Sequence, residues 1–448
     1  MSELVFSKSN VILYDRIYKE EFSDEKEKGI KKQYRAFSRF LREKEIFLSK
    51  DDIFAGQLQH YLMRYSQPLP GDGEPEAFDP GVIRTGAVNP PENAKATVDM
   101  CLRYDVTEEE KQTLSYLEAG VAAGYFTHYP VGHTITGFPF VLHTGFEKIK
   151  NMLAESIKKA ADSSRRETGE AMLATVESCQ AYFGRYLEQA KQLEREAETP
   201  EEKKRMSRIA QGVSRIMTEP AGSFYEALQF IVLLQELILT QVKGSMSLGR
   251  LDVLLFPYLK EDLKAARESG ESAQLLIDAC MTKLAGCSSG YQNLTLGGCD
   301  KEGNYGGNEV SLMFLRGARR LGYDQPLLSF RLNEKVPDSH WEEILKTLEK
   351  GGGFPALFWD DTIIKSRLRL GTPIEDARDY GIIGCVEPGI CGKEFSNTES
   401  MRINWCKTLE LMLNGGVCPV TGIPLFLKQK KRLGEIKSFE EFLAWYEE

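Results

Sequence analysis

Nine cysteines and five histidines are the residues of this 448-residue chain best suited to carry chemistry. The densest grouping is Gly384-Cys385-Val386-Glu387-Pro388-Gly389. In an extended segment, residues two apart share a face, so Cys385 and Glu387 are expected to project together. A thiol beside a carboxylate suits proton transfer from a substrate held at the sulfur. It suits nucleophilic cysteine chemistry poorly, because a nearby anion disfavours the thiolate. The same pair could be a packed cysteine and a surface glutamate at a strand end, and residue chemistry alone favours that plainer reading. No metal centre is indicated. The cysteines, at positions 101, 179, 280, 287, 299, 385, 391, 406 and 418, form no CxxC, and His60, His128, His133, His143 and His340 show no HExxH or paired helical spacing. Reduced, mostly packed thiols in a reducing cytosol fit this usage.

Other elements must position that cluster. Basic residues number 57 against 66 acidic, and no basic block dominates, which argues against nucleic acid or an anionic membrane as partner. The most apolar stretch, Phe230 to Leu239, is interrupted by Gln235 and Glu236 and falls far short of the ~18 residues of a membrane span. The N-terminus lacks the apolar core of a signal peptide, so a cytoplasmic protein is expected. Glu20 to Leu48 has helical spacing, Gln67 to Asn93 reads as irregular, and Phe146 to Val242 reads as almost wholly helical. Thr199-Pro200-Glu201-Glu202 offers a capping signal, repeated by Ser223 with Glu226. From about residue 290 short apolar strands alternate with helices. Ser339 and Glu342 are expected to cap a helix ending at Gly351, Pro355 to Trp359 to form a strand before a helix through Leu370, Thr372 and Glu375 to cap another helix, and Gly381 to Gly384 to enter a buried strand. The class expected is α/β with a helix-rich first half. Phe439, Phe442, Leu443 and Tyr446 predict a final amphipathic helix still running at Glu448.

The segment Gly384 to Pro388 resembles the active-site loop of glycyl radical enzymes of the pyruvate formate-lyase superfamily. Further segments resemble that family's landmarks in the same order: Gly132-His133-Thr134, Gly249-Arg250-Leu251-Asp252 with Pro257 and Tyr258, Leu296-Gly297-Gly298, Asn308-Glu309-Val310-Ser311, Gln325-Pro326 through Arg331, Asp360, and Glu375 to Tyr380. Phe358-Trp359 before Asp360 departs from the pattern, which has a small polar residue there. The resemblance implies a large, helix-rich α/β barrel, incomplete at the C-terminus. It would occupy residues 1–448, helix-rich to about 245 and carrying the cysteine loop over about 246–448.

The resemblance further implies that Cys385 becomes a thiyl radical and Glu387 is the general base of a lyase, most simply a dehydratase of a small hydroxylated substrate. A radical α to a hydroxyl acidifies it, and a carboxylate can take that proton as a leaving group departs. Val386 stands where pyruvate formate-lyase has a second cysteine, which disfavours formate acetyltransferase activity. His133 is implied as a substrate contact, with a core histidine the equal alternative; Ser245 and Ser247 are both candidates for a polar contact. Glu399 falls where glycerol- and choline-type members carry a tryptophan–histidine–aspartate segment, but its neighbours Ser396-Asn397-Thr398 differ, and Gly392-Lys393-Glu394 is more like hydroxyproline-type members. No bound cofactor is expected. The glycyl radical would be installed by an S-adenosylmethionine-dependent activase on an Arg-Val-Ser/Ala-Gly-Tyr-like motif, which these residues do not contain, so a glycyl radical domain is expected to be absent. Expected partners are the activase, a second copy in a homodimer, and a separate C-terminal radical segment if the enzyme is split. An arylacetate-type decarboxylase and a non-catalytic remnant are the alternatives.

Overall fold

The helical part of the chain is held by a few long helices whose polar residues are spent on specific partners. The computed structural model describes residues 8–22, 30–58, 107–128, 133–241, 245–286, 292–394, 401–425 and 433–447. Helices Phe146–Lys158, Ser163–Arg195, Pro200–Ile216 and Phe224–Leu239 fill the stretch whose spacing predicted them. Thr199 and Ser223 cap the last two by accepting from the amides of Glu202 and Glu226. The carboxylates of Glu202 and Glu226 reach back to the Glu198 and Gly222 amides. Helix Phe224–Leu239 is buried almost all round, which explains its length of apolar sequence without a membrane. Its interrupting polar residues are paired: Glu236 accepts from Lys44 at 2.6 Å and from Tyr182 at 2.7 Å, and the Gln235 amide donates to the Met246 carbonyl and to Gln292. Among the described residues no helix is long and apolar enough to cross a membrane.

The second half supplies strands. We label them β1 (Thr134–Ile135), β2 (Met246–Ser247), β3 (Asn293–Gly297), β4 (Leu327–Leu332), β5 (Ala356–Trp359), β6 (Tyr380–Ile383) and β7 (Glu387–Ile390). β1 pairs parallel with β2, and β3, β4 and β5 form a parallel sheet in that order. A parallel bridge between Gly249 and Leu294, with hydrogen bonds from Leu248 N to Asn293 O and from Thr295 N to Gly249 O, joins the two sets. The result is one run of parallel strands with helices Leu251–Lys264, Gly270–Ala285, Glu309–Leu321 and Asp338–Leu348 as crossovers. β3 and β4 are buried at every position, as strands covered on both faces must be. β6 and β7 form an antiparallel hairpin, with Ile383 opposite Glu387.

Contacts divide the chain into two units. One comprises Met1–Asp24, Ile30–Met63 and Gly132–Thr398 and holds all seven labelled strands; the other comprises Glu25–Gly29, Arg64–Val131 and Glu399–Glu448. In the second, Phe126–His128 pairs antiparallel with Met401–Ile403, and helix Phe439–Glu447 is present as its spacing predicts. Two capping expectations are corrected. Helix Asp338–Leu348 begins after Pro337 and helix Ile374–Arg378 after Pro373, both without a side-chain cap. Proline's fixed φ starts these helices, so Ser339 falls inside the first turn and Thr372 stands one residue too early. The Gln67 to Asn93 segment lies outside the described residues.

Candidate functional site

The expectation that Cys385 and Glu387 project together from one extended strand is corrected. β6 ends at Ile383, Gly384 to Val386 form the turn, and β7 begins at Glu387. Gly384 has φ +57°, a left-handed value that turns the chain and ends the two-residue alternation. Cys385 is exposed at the tip of the turn. Glu387 folds back so that its Oε2 accepts from the Cys385 and Val386 amides at 3.1 and 3.0 Å. Thiol and carboxylate therefore belong to one turn, joined through the backbone.

The hairpin lies close against the parallel strands because small residues permit it. A Cβ on Gly381 would stand 2.5 Å from Ile135 Cδ1 and 3.4 Å from Thr295 Oγ1. The Ile382 amide donates to Thr295 Oγ1 at 2.8 Å. Gly384 is seated the same way: its N–H donates to Ser247 Oγ at 3.0 Å, and its carbonyl accepts from Asn293 Nδ2 at 3.1 Å. A Cβ there would meet His133 Cδ2 at 2.6 Å and Glu387 Oε2 at 3.1 Å, so imidazole and carboxylate flank the same glycine.

Of the residues singled out from sequence, His133, Ser247, Cys385 and Glu387 thus converge on one turn. His133 is buried, beginning the segment that leads into β1. Ser245 is 1% exposed, precedes β2, and its hydroxyl has no hydrogen-bond partner among the described residues. Strand alternation gives it the same face as Ser247. Glu399 lies outside the described residues. Sequence reasoning missed Asn293, Thr295 and Ser329, the last accepting from Asn293 Nδ2 at 2.9 Å. An asparagine opening a strand buried at every position was the available signal, since strands disfavour it unless its amide is used. Cys391, near the hairpin, is a different kind of thiol. Burial pushes it up to about 12, with Asp379 adding to the rise, and it donates to the Thr136 carbonyl.

The other landmark residues build the frame. Asp252 accepts from the Gly297 amide at 2.7 Å and from Ser311 Oγ at 2.6 Å, and burial raises its pKa despite these donors and Arg250. Arg250 bonds the Gly297 carbonyl and pairs with Asp379. Arg331, wholly buried, pairs with Asp360 at 2.7 Å and donates to the carbonyls of Tyr380 and Arg378, where β6 starts. Asp360 also accepts from Tyr380 Oη and from the Cys299 amide. Burial alone would raise the Asp360 carboxyl, but Arg331 and these donors outweigh it and hold it below its ordinary value. These charges are paired with one another and hydrogen-bonded to the backbone, so they fix strand ends. Among the described residues no cluster of three His, Cys, Asp or Glu could hold a metal ion.

Comparison with known proteins gives this geometry a context. The family model described as pyruvate formate lyase-like matches residues 6–448. A (2S)-3-sulfopropanediol dehydratase of Klebsiella oxytoca is 28% identical over 376 residues, covering 79% of this chain and 44% of the relative. An indoleacetate decarboxylase of Tractidigestivibacter scatoligenes is 30% identical over 273 residues, covering 56% and 31%. Among solved structures, the glycerol-bound B12-independent glycerol dehydratase of Clostridium butyricum superposes with a TM-score of 0.74 at 25% identity, covering all of this chain and 62% of that one. The chain spans less than half the length of these curated relatives.

Proposed function

The chain belongs to the pyruvate formate lyase-like family, and on that premise we propose that it is the barrel portion of a glycyl radical lyase whose working thiol is Cys385. Its fold is the helix-rich α/β barrel of glycyl radical enzymes. The observation that carries the proposal is the turn that exposes Cys385 at its tip while binding Glu387 to the same backbone. An exposed thiol at a hairpin tip fits hydrogen transfer with a radical-bearing segment on one side and a substrate on the other. The glycyl radical, installed by an S-adenosylmethionine-dependent activase, would supply the unpaired electron.

The residues of this chain do the rest. The Cys385 thiyl takes a hydrogen atom from a carbon bearing a hydroxyl, forming S–H and a carbon radical. Glu387 then takes the acidified hydroxyl proton. Both loop amides go to Oε2, so Oε1 is the oxygen on which that proton would arrive. The neighbouring C–O bond breaks, hydroxide leaves and combines with a proton returned from Glu387, and the product radical recovers a hydrogen atom from Cys385. His133 and Ser245 are the proposed polar contacts to substrate, and Glu399 a further one. A water-eliminating lyase on a small hydroxylated compound is favoured by this polar surrounding. Decarboxylation is the second reading, supported by the decarboxylase among the relatives.

The test is anaerobic activation of the chain, combined with a segment that carries the glycyl radical motif, in the presence of a panel comprising (2S)-3-sulfopropanediol, glycerol, trans-4-hydroxyproline, isethionate and indoleacetate. Cys385→Ser should keep the glycyl radical signal and lose all turnover. Normal turnover by that variant would refute the assignment.

A further inference from the structure

We propose that Ser247 and Asn293 are a positioning pair that fixes the Cys385 thiol by holding both peptide planes that flank Gly384; this rests on reading Cys385 as the radical-carrying thiol. The Gly384 N–H lies in the Ile383–Gly384 plane and is held by Ser247 Oγ at 3.0 Å. The Gly384 carbonyl lies in the Gly384–Cys385 plane and is held by Asn293 Nδ2 at 3.1 Å. Peptide planes are stiff, and the only soft rotations between these two are those of Gly384 itself. Two side chains, from β2 and β3, therefore set both torsions of the residue with the greatest rotational freedom in the turn. The Cys385 Cα lies in the second of these planes, so fixing that plane fixes where the thiol starts.

The clamp is anchored where it cannot drift. Ser247 is fully buried, Asn293 is 1% exposed, and Ser329 on β4 steadies the Asn293 amide. The orientation of that amide follows from chemistry: turned over, its oxygen would face the Gly384 carbonyl oxygen. The same geometry separates the two candidate serines. Ser247 has its oxygen engaged by the loop, whereas the Ser245 hydroxyl has no partner among the described residues, which leaves Ser245 as the one suited to meet a substrate. Hydrogen-atom transfer requires near contact, and a misplacement of about 1 Å costs ~10²-fold in rate. A glycine hinge before the transferring thiol would be a poor device without such a clamp.

The experiment uses the chain combined with a segment that carries the glycyl radical motif, and needs no substrate. In D2O, hydrogen transfer between the glycyl position and a thiol that exchanges with solvent replaces the glycyl α-hydrogen with deuterium, and the electron paramagnetic resonance doublet collapses. Ser247→Ala and Asn293→Ala should form the radical in normal yield yet slow this collapse by ~10²-fold. Ser247→Thr, which keeps the accepting oxygen, should restore it. In the unactivated protein, backbone hydrogen exchange over 380–390 should quicken in both alanine variants while helix Phe224–Leu239 keeps its protection. Collapse at the wild-type rate in the alanine variants, or quickened exchange spread equally through that helix, would overturn the clamp. A wild-type collapse rate in Cys385→Ser would instead overturn the radical reading itself, whatever Ser247 and Asn293 do.

Discussion

Gly384 carries a left-handed φ, and a Cβ added there would stand 2.6 Å from the His133 ring edge. Two separate costs therefore attend Gly384→Ala: a strained torsion, ~1–3 kcal/mol, and a clash with an aromatic edge. Urea denaturation should show that loss, and adding His133→Ala should recover only the part due to the clash. Equal stability of single and double variants would mean the ring simply moves aside. Glu387→Gln keeps an acceptor for the loop amides but removes the base. Turnover should fall ~10²–10⁴-fold while deuterium still enters the glycyl position; an unchanged rate would make Glu387 purely structural. Asp360 gives a pH signature. Its folded pKa is depressed, so its contribution is complete above the ordinary carboxyl value near ~4 and disappears as pH falls through the folded value. Asp360→Asn, which leaves buried Arg331 uncompensated, should cost ~3–5 kcal/mol at pH 7. The gap to wild type should narrow as pH drops below ~4, as denaturation at pH 7 and pH 3 would show. A gap constant with pH would deny Asp360 that role.

At the scale of elements, the hairpin depends on contact without intervening side chains. Gly381→Ala places a methyl 2.5 Å from Ile135 Cδ1 and should lift β6 from its seat, raising hydrogen exchange over 380–390. Ile135→Val removes the Cδ1 atom at a cost of ~0.5–1.5 kcal/mol and should return much of the protection. If it does not, the lift has another cause. The elements themselves were largely legible in sequence. Helical spacing and the Thr199 and Ser223 caps are local patterns, and they gave the helices from Phe146 onward. The strand Ala356–Trp359 and the one ending at Ile383 were equally plain. The turn at Cys385 was not, because period-two reasoning carries on through a glycine whose left-handed torsion nothing local announces. Asn293 and Thr295 were missed because their work is done on a segment about 90 residues away in the chain, and Ser329 because its partner is Asn293, 36 residues away. Non-local hydrogen bonds leave no periodic trace.

At the scale of the molecule, the 448 residues contain no Arg-Val-Ser/Ala-Gly-Tyr-like segment. Expressed as such, with activase and S-adenosylmethionine under anaerobic conditions, they should show no glycyl radical signal. Mixing with a segment that carries the motif should yield one. A signal from these residues alone would require a radical site of another kind.

The seat of the hairpin also has a temporal consequence. Its parts come from His133, Ile135, Ser247, Asn293 and Thr295, and the strand pair that occupies it begins only at Tyr380. Each closure spans roughly 90 to 250 residues of chain, and such contacts form late because loop entropy must be met before they reward it. A ribosome delivers the receptacle long before it delivers the turn. During synthesis every residue of the seat therefore leaves the ribosome before the cysteine loop does, and the contacts that place Cys385 wait on the last-made partner.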